Sequence, residues 1–257
     1  MLNKQTLDKL TRLKLPAMAE SYRRLFENPD NSSLSPDELL GIIVDAEWTS
    51  RQNKRLKRLL QQSGMMQGPC VEDIDYRPTR NLDRQMITAF SECTWIANRR
   101  NILITGKTGT GKSYMACALG NMACRLNYTV KYYRLPRLLT DLNIAKIDGS
   151  YNRYLSQLKK CHLLILDDWG LAEITAADSR DILEVIDDRV NTGSTLLAAQ
   201  IPVQDWYALF SDPTLADACM DRLVHNAYRI ELEGDSMRRI MADPNEMKDK
   251  KAQTLEI

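Results

Sequence analysis

Apolar positions recur every three or four residues through the first 67 positions, and that spacing predicts helices throughout. Leu7, Leu10 and Leu13 mark a first short segment, with Thr6 expected as its cap, and Pro16 restarts the chain. At Ser35-Pro36-Asp37-Glu38, serine takes the N-cap, proline the first helical position and glutamate the third. This is a capping box, in which serine and glutamate each satisfy a backbone donor of the first turn. The helix it opens is acidic first (Asp37, Glu38, Asp45, Glu47) and basic last (Arg51, Lys54, Arg55, Lys57, Arg58), the order its macrodipole favours. Gly64, Gly68 and Pro69 break the pattern, so residues 1–67 read as a small all-helical domain and 68–79 as a linker.

From residue 80 the period changes. β-rich runs at Asn101–Thr105, Val130–Arg134, His162–Leu166, Thr195–Ala199 and Tyr228–Leu232 alternate with helical stretches. That alternation predicts an α/β core, 80–241, with a five-stranded parallel sheet flanked by helices. The run His162–Leu166 is nearly unbroken apolar, as a strand buried on both faces requires. Residues 242–257, rich in Lys, Asp and Glu, read as a flexible tail.

Composition narrows the class. With 44% apolar residues there is material for a sizeable core. The 35 basic and 34 acidic residues leave a formal net charge of +1, which argues against a polycation. The charged opening MLNKQTLDKL reads as no signal peptide, and no apolar run is long enough to predict a membrane span. Six cysteines without a C-x-x-C pair, with only two histidines, predict buried reduced thiols in a cytoplasmic protein rather than a zinc site.

The chemistry concentrates in Gly106-Lys107-Thr108-Gly109-Thr110-Gly111-Lys112-Ser113, which fits G-x-x-x-x-G-K-[ST] between a strand and a helix opening at Tyr114. The string arises by chance in roughly one chain of this length per hundred, and its context lowers that further. Glycines permit a tight loop whose N–H groups point inward at phosphate oxygens. Lys112 is then expected on the β- and γ-phosphates of ATP, and Ser113 on Mg²⁺. Leu163-Leu-Ile-Leu-Asp167-Asp168 supplies the acidic strand end, with Asp167 expected on Mg²⁺ and Asp168 on the attacking water. Gln200, after the run Thr195–Ala199, meets the phosphate end of the sheet. Arg222, on a helix that could face a neighbouring subunit, is a candidate finger acting in trans, with a gain of roughly 10³–10⁵ in rate; a solvated or salt-bridged role is its alternative. Arg238 and Arg239 raise the same question.

Together GKTGTGKS, LLILDDWG, Gln200-Ile-Pro202, DPTLADACMDRLVHNAYRIEL and GDSMRR resemble the IstB-type transposition helpers, AAA+ ATPases of insertion sequences related to DnaC-type helicase loaders. The resemblance spans nearly the whole chain, and Asp212–Leu232 is its most distinctive stretch. It implies an AAA+ core without a C-terminal lid, and a ring or helical homo-oligomer on duplex DNA with ATP at subunit interfaces. It also implies a cognate transposase as partner. It puts Gln200 at the first sensor position, Arg222 at the arginine finger, Arg238 at the second sensor and Asp73–Tyr76 beside the adenine. One departure stands out: the family usually ends its acidic strand Asp-Glu, and this chain has Asp-Asp, one methylene shorter.

Two basic groups are candidates for DNA. Residues 1–67 carry 11 basic and 8 acidic side chains, and Arg51, Lys54, Arg55, Lys57 and Arg58 read equally as phosphate contacts or as a solvated helix end. Lys131, Arg134 and Arg137, interleaved with Tyr132 and Tyr133, suit backbone contact. Three functions therefore compete: a DNA-remodelling ATPase that recruits a transposase, a helicase loader with the same engine, and a nucleotide kinase.

Overall fold

A computed structural model describes residues 2–27 and 34–242. The expected tail, apart from its first residue, lies outside the described residues. The chain forms two compact units, Met1–Arg58 and Leu59–Ile257.

The first unit holds α1 (Leu2–Arg12), α2 (Pro16–Glu27) and most of α3 (Pro36–Ser63). The capping box forms as expected: the Ser35 hydroxyl accepts from Glu38 N–H at 3.3 Å and Glu38 Oε2 accepts from Ser35 N–H at 2.7 Å. Thr6 is no cap, because α1 already begins at Leu2; its position is helical interior. The first turn of α2 is satisfied instead by Glu47, a buried carboxylate that accepts from the N–H groups of Ala17 and Met18 at 2.9 and 3.1 Å. Negative charge at a helix N-terminus satisfies its orphan donors and complements its dipole.

In the second unit α4 (Arg84–Ser91) and α5 (Thr94–Ala97) precede β1 (Asn101–Gly106). There follow α6 (Lys112–Arg125), β2 (Val130–Arg134), α7 (Leu135–Ile147), α8 (Tyr151–Lys160) and β3 (Leu163–Trp169). The chain then runs through α9 (Ala176–Asp187), β4 (Ser194–Ala199), α10 (Pro213–Val224), β5 (Ala227–Leu232) and α11 (Met237–Ala242). The five strands form one parallel sheet in the order β2-β3-β4-β1-β5. Its central members are apolar and buried along nearly their whole length, because helices cover both faces. α11 is the last element among the described residues.

β3 runs further than its apolar stretch. It passes through both acids to Trp169, with a register shift between Leu166 and Trp169 and a left-handed Asp168 (φ 57°). Behind the sheet, Arg189 is 2% exposed and donates to the carbonyls of Leu158, Cys161 and Ser194, joining the end of α8 to the start of β4. All six cysteines are free thiols; Cys93, Cys117, Cys124, Cys161 and Cys219 are buried as expected, whereas Cys70 is only half-buried. Among the described residues no helix is long and apolar enough to cross a membrane, and no His/Cys/Asp/Glu group could hold a metal by itself.

Candidate nucleotide site

The C-terminal ends of β1, β3 and β4 open into one cleft of about 500 Å³, within the ordinary size of a small-molecule site. Between β1 and α6 the chain turns through Gly106, Gly109 and Gly111, each with positive φ. At Gly106 (φ 149°) a Cβ would stand 2.3 Å from the Leu232 carbonyl, so only glycine fits. The Lys107 carbonyl gathers the loop: it accepts from the Thr110 hydroxyl at 2.8 Å and from Lys112 Nζ at 2.8 Å. Lys112 is 8% exposed, and burial draws its ammonium below the ordinary lysine value against the opposing pull of Asp167 and Asp168. Ser113 lines the cleft, and so does Tyr114, whose hydroxyl reaches the backbone of Cys70.

The acids are organised by β2. Buried Asp167 accepts from the Tyr132 hydroxyl at 2.7 Å and from the N–H of Asp168 at 2.9 Å. Burial and the charge of Asp167 raise the Asp168 carboxyl, while Arg134, 3.5 Å away, pulls it down. Tyr132 and Arg134 stand two residues apart on this strand, and each engages one acid. From β4, Gln200 Oε1 accepts from the Thr108 hydroxyl at 2.8 Å. From α11, Arg238 lines the cleft, and the N–H of its neighbour Met237 donates to the Gly109 carbonyl at 2.8 Å.

Lys112, Ser113, Asp167, Asp168, Gln200 and Arg238 thus share one cavity. Asp73, Ile74 and Asp75 line it too, whereas Tyr76 is outside the lining and stacks under Arg84 at 5.0 Å. Arg222 stands elsewhere, pairing with Asp187 of α9 and donating to the Ala218 carbonyl at 2.8 Å. It borders a separate cleft of about 210 Å³ with Arg99, Asp221 and His225.

The basic candidates divide. Lys54, Arg55, Lys57 and Arg58 are exposed on α3, and Arg51 pairs with Glu47 at 2.9 Å. Lys131 donates to the Gln62 carbonyl at 2.8 Å and Arg137 pairs with Asp141 at 3.2 Å, while Arg134 turns into the cleft. Three participants escaped sequence reasoning. Arg80 is 6% exposed and bonded to the loop; Tyr132 holds Asp167; Met237 bonds Gly109. The only available signal was for Tyr132, whose two-residue offset from Arg134 puts both on one side of the strand.

The family model of the IstB-like ATP binding proteins matches residues 8–242. The insertion sequence ATP-binding protein y4pL of Sinorhizobium fredii is 42% identical over 93% of this chain and 98% of its own. The ATP-binding protein of insertion sequence IS1162 of Pseudomonas fluorescens is 44% identical over 85% and 95%. Among solved structures, DnaI superposes with a TM-score of 0.56 at 24% identity, covering 70% of this chain and 98% of DnaI, a likeness of fold.

Proposed function

The chain belongs to the IstB-like ATP-binding family, an AAA+ fold, and from that premise we propose a Mg²⁺-dependent ATPase that assembles on duplex DNA and recruits a transposase. The observation that carries the reading is the convergence of Lys112, Asp167, Asp168 and Gln200 on one cleft behind a glycine loop. The names of the relatives, ATP-binding proteins of insertion sequences, support the client.

On this reading Lys112 leaves the Lys107 carbonyl for the β- and γ-phosphates. The loop N–H groups and the N-terminus of α6 neutralise the phosphate chain. Ser113 and Asp167 offer hard oxygen donors, the kind Mg²⁺ takes, and Tyr132 and the Asp168 N–H fix the Asp167 carboxylate toward that role. Bound there, the cation would neutralise charge on the phosphates. Asp168 orients the water and accepts its proton, and its raised pKa suits a base. Gln200 relays the state of the γ-phosphate to the loop through Thr108. Arg222, remote from its own cleft, reaches the nucleotide of a neighbouring copy once Asp187 releases it. The exposed basic face of α3 grips phosphate, and many such contacts along an assembly offset a bending cost of about 1–6 kcal/mol per 20–30 base pairs.

ATP turnover and light scattering, with and without duplex DNA, test this reading. The expected result is DNA-stimulated hydrolysis by large particles, both lost in Lys112→Ala. Phosphate transfer to a nucleoside monophosphate, or turnover indifferent to DNA, would refute it. Capture of a replicative helicase in place of the element's transposase would reassign the client.

A further inference from the structure

Arg80 is buried in a segment that carries no recognisable motif. Its Nη1 donates to the Asp75 carbonyl at 2.7 Å and its Nη2 to the Thr110 carbonyl at 2.6 Å. Thr110 belongs to the phosphate loop, and Asp75 to the segment that lines the cleft from before the core. The carbonyl of Arg80 in turn accepts from Glu233 N–H at 3.2 Å, at the stretch leading to the Met237–Gly109 bond. The guanidinium is so close to the loop that a Cβ on Gly111 would stand 3.0 Å from Nη2. A planar fork with fixed donors holds two carbonyls at a set separation, which a single ammonium cannot do.

We propose that Arg80 is a positioning residue that couples the Asp75 segment to the phosphate loop, so that a nucleoside triphosphate spanning both binds more tightly than its phosphate chain alone. This deepens the nucleotide reading above and rests on it. Nothing in it requires Arg80 to touch phosphate. Its action is through geometry, by keeping two subsites in the register that one ligand needs. Linked subsites gain affinity only while their spacing is held.

The test compares the full chain with Arg80→Lys and Arg80→Gln, with circular dichroism melts to verify folding. ATP and inorganic tripolyphosphate each displace a fluorescent ATP analogue. In both variants ATP affinity is expected to fall about tenfold or more, the equivalent of one hydrogen bond to a charged group. Tripolyphosphate affinity should fall less, so the advantage of ATP shrinks. Wild-type affinity in Arg80→Lys would mean that charge suffices and would overturn the proposal. Equal proportional losses for the two ligands would overturn it as well. Should the variants not fold, hydrogen exchange on the wild-type protein decides: tripolyphosphate, which engages the loop alone, should also protect the amides of Asp75, Tyr76, Arg77, Thr79 and Arg80. Protection confined to the loop would overturn the coupling. A wild-type chain that binds neither ligand would instead bring down the nucleotide reading and the coupling with it.

Discussion

Tyr132→Phe deletes one oxygen and keeps the ring, which makes it a clean probe of how Asp167 is held. The hydroxyl lies 2.7 Å from a carboxylate in a residue 3% exposed, so water can replace it only by entering the core of the cleft. A hydrogen bond to a charged group contributes about 1.5–3 kcal/mol. In a unit of this size each kcal/mol shifts Tm by roughly 2–4 °C, so the nucleotide-free protein should melt about 3–12 °C lower. Burial, reinforced by the bond to Asp167, raises the phenol above its ordinary value, so the donor proton persists through the neutral range and the loss should be independent of pH there. A second readout follows from the orienting role. Removing the partner of a metal-ligating carboxylate costs about 10–100-fold in metal affinity, so under the Mg²⁺ role proposed for Asp167 the Mg²⁺ concentration for half-maximal ATP turnover should rise by that factor. Thermal melts by circular dichroism and a Mg²⁺ titration of turnover supply both numbers. A variant with the wild-type melting point and the wild-type Mg²⁺ requirement would refute the idea that Tyr132 fixes this acid.

Asp168→Asn should keep ATP binding and lose turnover by about 10²–10⁴-fold, checked by phosphate release against nucleotide titration. The same variant should be more stable than wild type at neutral pH. Because the folded carboxyl has a raised pKa, the native state holds its proton more tightly than the unfolded chain. Stability therefore falls as pH climbs from the ordinary carboxylate value through the raised one, and the penalty persists above it. Denaturant titrations should show the advantage of the variant vanish at acid pH; an advantage that does not change with pH contradicts this cause. For Arg222, the proposed action in trans predicts that mixing Arg222→Ala with Lys112→Ala chains restores part of the turnover, since each would supply what the other lacks. Mixtures no more active than their components would argue against action in trans.

The sheet and the loop were legible because their signals are local. Each of the five β-rich runs became a strand, and Gly106–Ser113 specifies its own turn through glycines that need positive φ. Ser35 and Glu38 were readable for the same reason, being three residues apart. Thr6 misled because its residue type favours caps, yet α1 begins four residues ahead of it, at Leu2. Arg80 was invisible for a different reason: its partners are carbonyl oxygens at Asp75 and Thr110, and a carbonyl carries no residue-type signature. The basic residues near β2 show the limit of counting charge. Lys131, Arg134 and Arg137 look alike in sequence, yet one bonds a helix-end carbonyl, one faces an acid of the cleft and one pairs along its own helix.

The strand order also governs how the molecule acquires and keeps this cleft over time. β1 pairs with β4, matching Leu103 to Leu197, and two other strands intervene in the chain between them. Such pairings must overcome loop-closure entropy before they return any energy, so they form slowly. The glycine loop leaves β1, Gln200 leaves β4 and the acids end β3, so the ligand site is complete only when these long-range contacts are in place. A nucleotide therefore arrives too late to guide the chain to its native state. What it changes is the lifetime of that state, because a ligand that binds only the folded cleft stabilises it without speeding its formation, and so slows its loss.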